Sequence, residues 1–141
     1  MRRAGFEIGA VTGRLRRIGW LDIPLLKYAI DINNATQITL TKLDVFDGFK
    51  KIKVCISYIV DGQRTTEILF DLSRANHAKG RAGIKCIYKS FPIWKGKLSR
   101  YGNDLPKEAL TYVKFLEKTL GVKIIYVGTG PEEHQVIERY W

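Results

Sequence analysis

The stretch Thr41-Lys42-Leu43-Asp44 carries a lysine and a carboxylate two residues apart, directly after an apolar-polar alternation. One carboxylate can accept hydrogen bonds from both adjacent donors of guanine, the ring N1–H and the 2-amino group. Adenine lacks the 2-amino group and has an acceptor at N1, so Asp44 would repel it. The aliphatic part of Lys42 can lie along the purine face while its ammonium stays in polar surroundings. The pattern indicates a guanine pocket, although a solvated turn is the commoner origin of such a tetrapeptide.

A second segment with binding chemistry is the arginine-rich N-terminal stretch, residues 1–20, which holds five arginines and a single acid, Glu7. Its Thr12-Gly13 turn lets backbone N–H groups approach an anion closely. Arg14 and Arg16 then present planar forks that bind carboxylate or phosphate oxygens in pairs. A flexible basic tail is the plainer alternative. The spaced apolar residues favour a packed segment instead: Ile8, Val11, Leu15 and Ile18.

Secondary-structure elements must position both groups of candidate binding residues, the Lys42–Asp44 pair and the arginines of the N-terminal stretch. The pattern predicts strands at 36–41, 51–60, 64–70, 122–127 and 135–140, and helices at 22–33 and 105–120. Asp22 is the predicted N-cap of the first helix, Gly121 the predicted end of the second, and Asp61-Gly62 a predicted hairpin turn. The strand 36–41 ends at Lys42, and the strand 122–127 ends at Gly128-Thr129-Gly130-Pro131, so the two loops meet if these strands are neighbours. The predicted fold class is α/β, a mixed sheet with flanking helices.

Residues 71–104 are basic, with eight Lys or Arg and interleaved aromatic residues. This composition is typical of a surface that binds single-stranded nucleic acid, and it supports an alternative function as a basic nucleic-acid-binding module. The other interpretation, which we favour, is a long ordered loop whose aromatics attach it to the core. The aromatic residues concerned are Tyr88, Phe91, Trp94 and Tyr101.

Composition narrows the class of protein. The 141 residues are enough for one compact domain, and the net charge of +10 favours anionic partners. No apolar run is long enough for a membrane span, and no signal-peptide pattern follows Arg2 and Arg3. The two cysteines, Cys55 and Cys86, are typical of small core thiols in a reducing cytoplasm.

Four motifs in order then resemble the C-terminal part of the adenylosuccinate synthetase family, from about Gly5 to Trp141. They are the segments 9–20 (GAVTGRLRRIGW), 39–48 (TLTKLDVFDG), 105–109 (LPKEA) and 128–131 (GTGP). The resemblance implies one unit over 1–141 with the C-terminal portion of that family's P-loop NTPase-like fold. Its parts would be a substrate loop at 1–20, a guanine motif and hairpin at 36–70, a basic region at 71–104, and a helix, strand and glycine loop at 105–141.

The resemblance also implies a reaction and roles for residues. Enzymes of that family are cytoplasmic ligases of purine biosynthesis that use GTP to phosphorylate the 6-oxygen of IMP, and L-aspartate then displaces the phosphate. By similarity, Arg14 would hold aspartate and touch IMP, and Arg16 would reach both aspartate and GTP. The other implied contacts are an aspartate loop of Ala10, Val11, Thr12, Gly13, Arg14, Leu15 and Arg16, and a guanine site of Lys42, Leu43, Asp44, Gly128, Thr129 and Gly130.

The family's catalytic residues, its phosphate-binding glycine loop and its Mg²⁺ ligands belong to an N-terminal portion, and no GxxxxGK[ST] segment occurs in this sequence. We therefore expect a C-terminal fragment or one half of a split enzyme, with no catalytic residue and no metal ligand of its own. Its partners would be IMP, L-aspartate, GTP and that N-terminal portion, and the complete enzyme would be a homodimer. One departure is Val11, where the family often has threonine, and another is the basic character of 71–104.

Overall fold

A computed structural model describes residues 4–68 and 84–139. The described residues form two compact units. Unit 1 contains residues 4–19, 36–52 and 91–139, and unit 2 contains residues 20–35, 53–68 and 84–90. That residues 1–141 act together as one functional unit stays a prediction.

Unit 1 is built on a three-stranded mixed sheet. Strand β6 (Lys123–Gly128) lies in its centre, parallel to β2 (Gln37–Leu40) and antiparallel to β7 (Val136–Glu138). Ile124 and Val127 on β6 are fully buried, whereas Tyr126 in the same apolar run is 36% exposed. The mixed α/β class and the strands predicted at 36–41, 122–127 and 135–140 are confirmed within one or two residues, with position 140 outside the described part.

Helix α2 (Lys107–Leu120) supplies the apolar cover of unit 1. Helical spacing in the sequence predicts an apolar stripe that begins at Leu105, and the structure buries all of it except Leu105, which precedes the helix: Ala109, Tyr112, Val113, Leu116 and Leu120. The helix ends at Gly121, whose φ of 78° is the left-handed conformation that glycine adopts without strain. The predicted start at Leu105 is two residues early, because Pro106 occupies the N-cap with an extended ψ of 153°.

Unit 2 contains the helix α1 (Ile23–Ile32) and most of a second sheet around β3 (Lys51–Val60). Asp22 accepts a hydrogen bond from the Leu25 N–H at 3.1 Å, so the predicted cap is confirmed. The predicted Asp61-Gly62 turn connects β3 to β4 (Gln63–Thr65) in an antiparallel hairpin. The two turn residues have φ of 51° and 84°, as a type I′ turn requires. The other two neighbours of β3 are β1 (Leu21–Asp22), which is parallel to it, and β5 (Lys85–Pro92).

Two predictions about these segments need correction. Strand β4 ends at Thr65, short of the predicted 64–70, and residues 69–70 lie outside the described part. Of the predicted basic loop 71–104, residues 71–83 also lie outside it, but β5 and a 3₁₀ turn at Leu98–Tyr101 contradict a loop in the remainder. The sequence does not predict strand β5, because its exposed lysines interrupt the alternation of apolar and polar residues that is typical of a strand. Main-chain pairing with β3 holds β5 in place.

Both cysteines of unit 2 are free thiols. Burial, the Asp22 charge and the neighbouring Cys86 raise the pKa of Cys55 to about 12, so this thiol stays protonated and unreactive at neutral pH. The prediction of small core thiols is confirmed for Cys55, which is buried. Among the described residues, no helix is long and apolar enough to cross a membrane.

Candidate functional site

Two loops lie side by side at the carboxyl edge of the unit 1 sheet. The lysine–aspartate loop (41–44) follows β2, and the glycine loop (128–131) follows β6, its parallel neighbour. A Cβ atom built on Gly128 would lie 3.4 Å from the Lys42 nitrogen and 3.5 Å from the Thr41 Cα. The pairing makes these two strands neighbours, which is the condition under which the sequence predicts that their loops meet.

The backbone of Lys42 is in the left-handed region, with φ of 57° and ψ of 37°. This conformation costs a residue with a side chain roughly 1–2 kcal/mol, so the surroundings must hold it. The Lys42 Nζ donates to the Gly5 carbonyl and to Glu7 Oε1, both at 2.7 Å. On the other side, Leu43 is buried at the start of a 3₁₀ turn, Leu43–Phe46. Leu43 therefore serves as an anchor in the core, and Lys42 has the polar surroundings predicted for its ammonium.

Asp44 lines a concave pocket at this edge together with Lys42. Burial, reinforced by the charge of nearby Asp47, raises the pKa of the Asp44 carboxyl. A partly desolvated carboxylate in a pocket with mostly apolar walls is suited to accept hydrogen bonds from a planar ligand. The remaining residues of the pocket lining come from the N-terminal segment and both loops: Ala4, Gly5, Phe6, Val45, Gly130 and Pro131.

Gln135 holds the glycine loop in place through hydrogen bonds. No pattern in the sequence predicts this role for Gln135. The Thr129 N–H and hydroxyl both donate to the Gln135 carbonyl, at 2.7 and 2.9 Å. The Gln135 side chain fills the place that a Cβ on Gly130 would need, and it accepts from the Glu132 N–H at 3.1 Å. Thr129 is buried and its hydroxyl is used inside the loop. What the loop offers a ligand at the pocket is therefore the surface of Gly130 and Pro131.

The predicted anion-binding segment forms a small hairpin, residues 7–16, which we call the arginine hairpin. Main-chain bonds join Gly9 N–H to the Arg14 carbonyl at 2.8 Å and Arg16 N–H to the Glu7 carbonyl at 2.9 Å. Gly13 turns with φ of 63°. The hairpin contradicts a structureless tail. The prediction that its apolar residues pack is wrong, since Val11 is 98% exposed and the others are also exposed: Ile8, Leu15 and Ile18. Main-chain pairing, not burial, orders the segment.

Glu7 joins the arginine hairpin to the lysine–aspartate loop. Its Oε1 accepts from Lys42 Nζ at 2.7 Å and its Oε2 accepts from Arg16 at 3.2 Å. The hydrogen bond from Lys42 is the main cause that holds the pKa of Glu7 below its ordinary value, with a smaller contribution from Arg16. Sequence reasoning missed this role, although Glu7 is the one acid among the first twenty residues. Arg14 lies on the exposed outer part of the hairpin.

Two of the four aromatic residues named in the basic stretch are not available for the alternative function, a nucleic-acid surface, whereas Tyr88 and Tyr101 are exposed. Trp94 is 3% exposed, Phe91 is also buried, and both therefore lack a free face for stacking on bases. The Trp94 Nε1–H donates to Asp47 Oδ1 at 2.7 Å, and the same carboxylate accepts from the Leu98 N–H at 3.1 Å. For these two aromatics the interpretation as core anchors is confirmed. Asp47, three residues beyond Asp44, thereby fixes the turn that follows the pocket.

In the described ranges 4–68 and 84–139, no three His, Cys, Asp or Glu side chains lie close enough together to form a candidate metal centre.

Comparison with known proteins gives a consistent result. The sequence model of the family described as adenylosuccinate synthetase matches residues 1–137. Among curated proteins, the adenylosuccinate synthetase of Schizosaccharomyces japonicus is 42% identical over 143 residues, and that of Streptomyces griseus is 41% identical over 140 residues. These alignments cover 99% and 98% of this chain and 31% of each relative.

A solved structure is also similar. It is described as fully ligated adenylosuccinate synthetase from Plasmodium falciparum, with a TM-score of 0.80 and 33% sequence identity. The match covers 99% of this chain and 33% of that one. The chain thus spans about a third of the length of the relatives that it matches.

Proposed function

Because this chain belongs to the adenylosuccinate synthetase family, we propose that it supplies the guanine-binding and aspartate-binding part of a GTP-dependent ligase. The observation that carries the proposal is the parallel pairing of β2 with β6. It brings Asp44 and Gly130, far apart in sequence, into the lining of one pocket.

The proposed guanine site uses the chemistry of that pocket. Asp44 accepts hydrogen bonds from the guanine N1–H and 2-amino group, and the stem of Lys42 lies along the ring while its ammonium stays on Gly5 and Glu7. Of the three glycine-loop residues assigned to this site, Gly130 faces the base at the pocket, while Gly128 and the buried Thr129 set the course of the loop. Leu43 supports the site from the core. An adenine base would meet the Asp44 carboxylate with an acceptor and would be rejected.

The proposed aspartate site is the loop from Ala10 to Arg16. Arg14, on the exposed outer part of the hairpin, holds the carboxylates of L-aspartate and touches IMP. Arg16 reaches aspartate and the GTP side, and its fork is already oriented by Glu7. Val11, Thr12 and Gly13 form the hairpin turn before Arg14, and Leu15 lies between the two arginines.

The whole reaction is the GTP-dependent joining of IMP and L-aspartate to adenylosuccinate, in purine biosynthesis in the cytoplasm. The groups on these residues bind and orient substrates, and Mg²⁺ neutralises phosphate charge when it is bound elsewhere in the enzyme. We propose an N-terminal portion of the family as the partner that completes catalysis, and a homodimer as the complete enzyme. The 141 residues by themselves are expected to bind nucleotide without turning it over.

The test is calorimetric titration of the full chain with GDP and with ADP, alone and with a family N-terminal portion supplied in trans. Guanine-selective binding that appears or strengthens on mixing supports the proposal. The Asp44→Asn variant should then lose about tenfold or more in GDP affinity, because one hydrogen bond to a charged group contributes about 1.5–3 kcal/mol, and should keep any ADP affinity.

The matched control is Asp104→Asn, which removes the same charge at an exposed site of unit 1 away from the pocket. Circular dichroism checks that each variant is folded. Equal loss of GDP and ADP binding in Asp44→Asn, or no nucleotide selectivity in either condition, would contradict the guanine pocket.

A further inference from the structure

The two oxygens of the Glu7 carboxylate bind residues of two different loops, and the proposed function assigns these loops to different substrates. One oxygen accepts from Lys42 of the lysine–aspartate loop at 2.7 Å, and the other accepts from Arg16 of the arginine hairpin at 3.2 Å. The Glu7 side chain is only 18% exposed, whereas Lys42 and Arg16 are about half exposed. The carboxylate is therefore the better fixed partner of both cations.

Lys42 has a second hold on the same segment. Its Nζ donates to the Gly5 carbonyl as well as to Glu7, so the strained backbone at Lys42 depends on residues that immediately precede and begin the hairpin. Gly5 itself lies against the other end of the loop, since a Cβ built on it would approach the Val45 side chain at 3.1 Å. The hairpin and the loop thus share one set of polar contacts, and this set lies within unit 1.

We propose that Glu7 is a positioning residue that couples the arginine hairpin to the lysine–aspartate loop, so that occupation of one loop orders the other. The part of this inference that concerns nucleotide rests on the proposed function. Because coupling between two sites is reciprocal, a guanine nucleotide that fixes Lys42 will stabilise the Glu7–Arg16 contact, and an anion held by the hairpin will stabilise the pocket.

The unliganded chain tests the coupling without nucleotide. Amide hydrogen exchange is measured in the wild type, in Glu7→Gln and in the charge-matched control Asp104→Asn. In Glu7→Gln the amides of both the hairpin and the lysine–aspartate loop should exchange faster, by about threefold to tenfold, as expected for one shared contact between neighbouring sites. Asp104→Asn should change neither segment. Faster exchange in the hairpin alone, or in neither segment, overturns the proposal.

The reciprocal variant is Lys42→Met, which removes the contact from the loop side and keeps the apolar stem. It should accelerate exchange in residues 7–16, although the substitution lies outside the hairpin. This variant also decides the matter if Glu7→Gln does not fold. Unchanged exchange of the hairpin in Lys42→Met contradicts coupling through Glu7.

A second arm adds saturating GDP. In the wild type, GDP should slow amide exchange in the hairpin as well as in the pocket. In Glu7→Gln, GDP should slow exchange in the pocket alone. A merely structural role of Glu7 would not produce this difference. Equal protection of the hairpin in both proteins overturns the proposal. If GDP protects nothing in the wild type, either alone or with the N-terminal portion added, the proposed guanine site fails, and the exchange rates of the unliganded chain still decide the role of Glu7.

Discussion

Glu117 and Arg139 form a two-pronged ion pair between helix α2 and the residue that follows β7. Arg139 NH1 lies 2.9 Å from Glu117 Oε1, and NH2 lies 3.3 Å from Oε2. The same guanidinium donates to the Ile124 carbonyl, and Glu117 accepts from the Ile124 N–H at 2.9 Å. The pair therefore attaches the helix to the central strand of the unit 1 sheet.

Glu117→Ala should destabilise the protein by about 2–4 kcal/mol, because it leaves a largely buried guanidinium and a buried N–H without their acceptor. Both side chains are only 11–12% exposed, so solvent replaces little of the loss. Denaturant unfolding measures the free energy. Glu133→Ala, at an exposed position of the same unit, is the control and should stay within about 0.5 kcal/mol of the wild type. Equal unfolding midpoints for the two variants would show that the pair contributes nothing net.

The affinity for GDP should decrease as the pH falls through the raised pKa of Asp44. That pKa lies above the ordinary value of 3.8, and only the ionised carboxylate can accept both guanine donors. Glu7 remains ionised over the upper part of this range, because its own pKa is lowered. Titration calorimetry from pH 7 to pH 4 measures the profile.

The effect of Asp44 on folding stability has the opposite pH dependence to its effect on GDP affinity. A raised pKa means that folded Asp44 binds its proton more tightly than the unfolded chain does, so this residue lowers stability near neutral pH and the cost declines on acidification. In Asp44→Asn the pH dependence of any residual GDP binding should flatten. A profile that is identical in the wild type and in Asp44→Asn would assign the titration to another group.

Gly130→Ala should weaken GDP binding, because the new methyl group meets the Gln135 side chain and must displace it. Overpacking of this kind costs about 1–3 kcal/mol, and here it also disturbs the contact between Gln135 and the Glu132 N–H. Gly19→Ala is the matched control, since open space surrounds its Cβ position. Calorimetry with GDP compares the two variants, and comparable affinities would mean that the glycine loop adapts without consequence for the pocket.

Local signals in the sequence predict much of this fold. Strand β3 has the predicted limits, and the Asp61-Gly62 turn, the Asp22 cap and the Gly121 stop are each encoded within a few residues. The neighbouring position of β2 and β6 enters the sequence argument only as a condition for the two loops to meet, and the pairing meets that condition.

What the sequence does not predict depends on partners distant in the chain. Strand β5 exists because β3 offers it an edge, and its own pattern of lysines gives no period. Glu7 receives its role from Lys42, and Asp47 receives its role from Trp94, in each case across more than thirty residues. No spacing rule connects such residues until the backbone has brought them together. The roles of the individual site residues stay predictions.

The pairing of β2 with β6 also sets the order in which the pocket can arise. One wall is made near Lys42 and the other near Gly130, so the chain between them must be closed into a loop before either wall has a counterpart. Closure over such a separation is slow compared with the formation of local helices and hairpins. During synthesis on the ribosome, Asp44 emerges long before Gly130, and every shorter nascent chain lacks half of the pocket. The nucleotide recognition proposed for this edge would consequently be a property of the folded sheet and not of either loop.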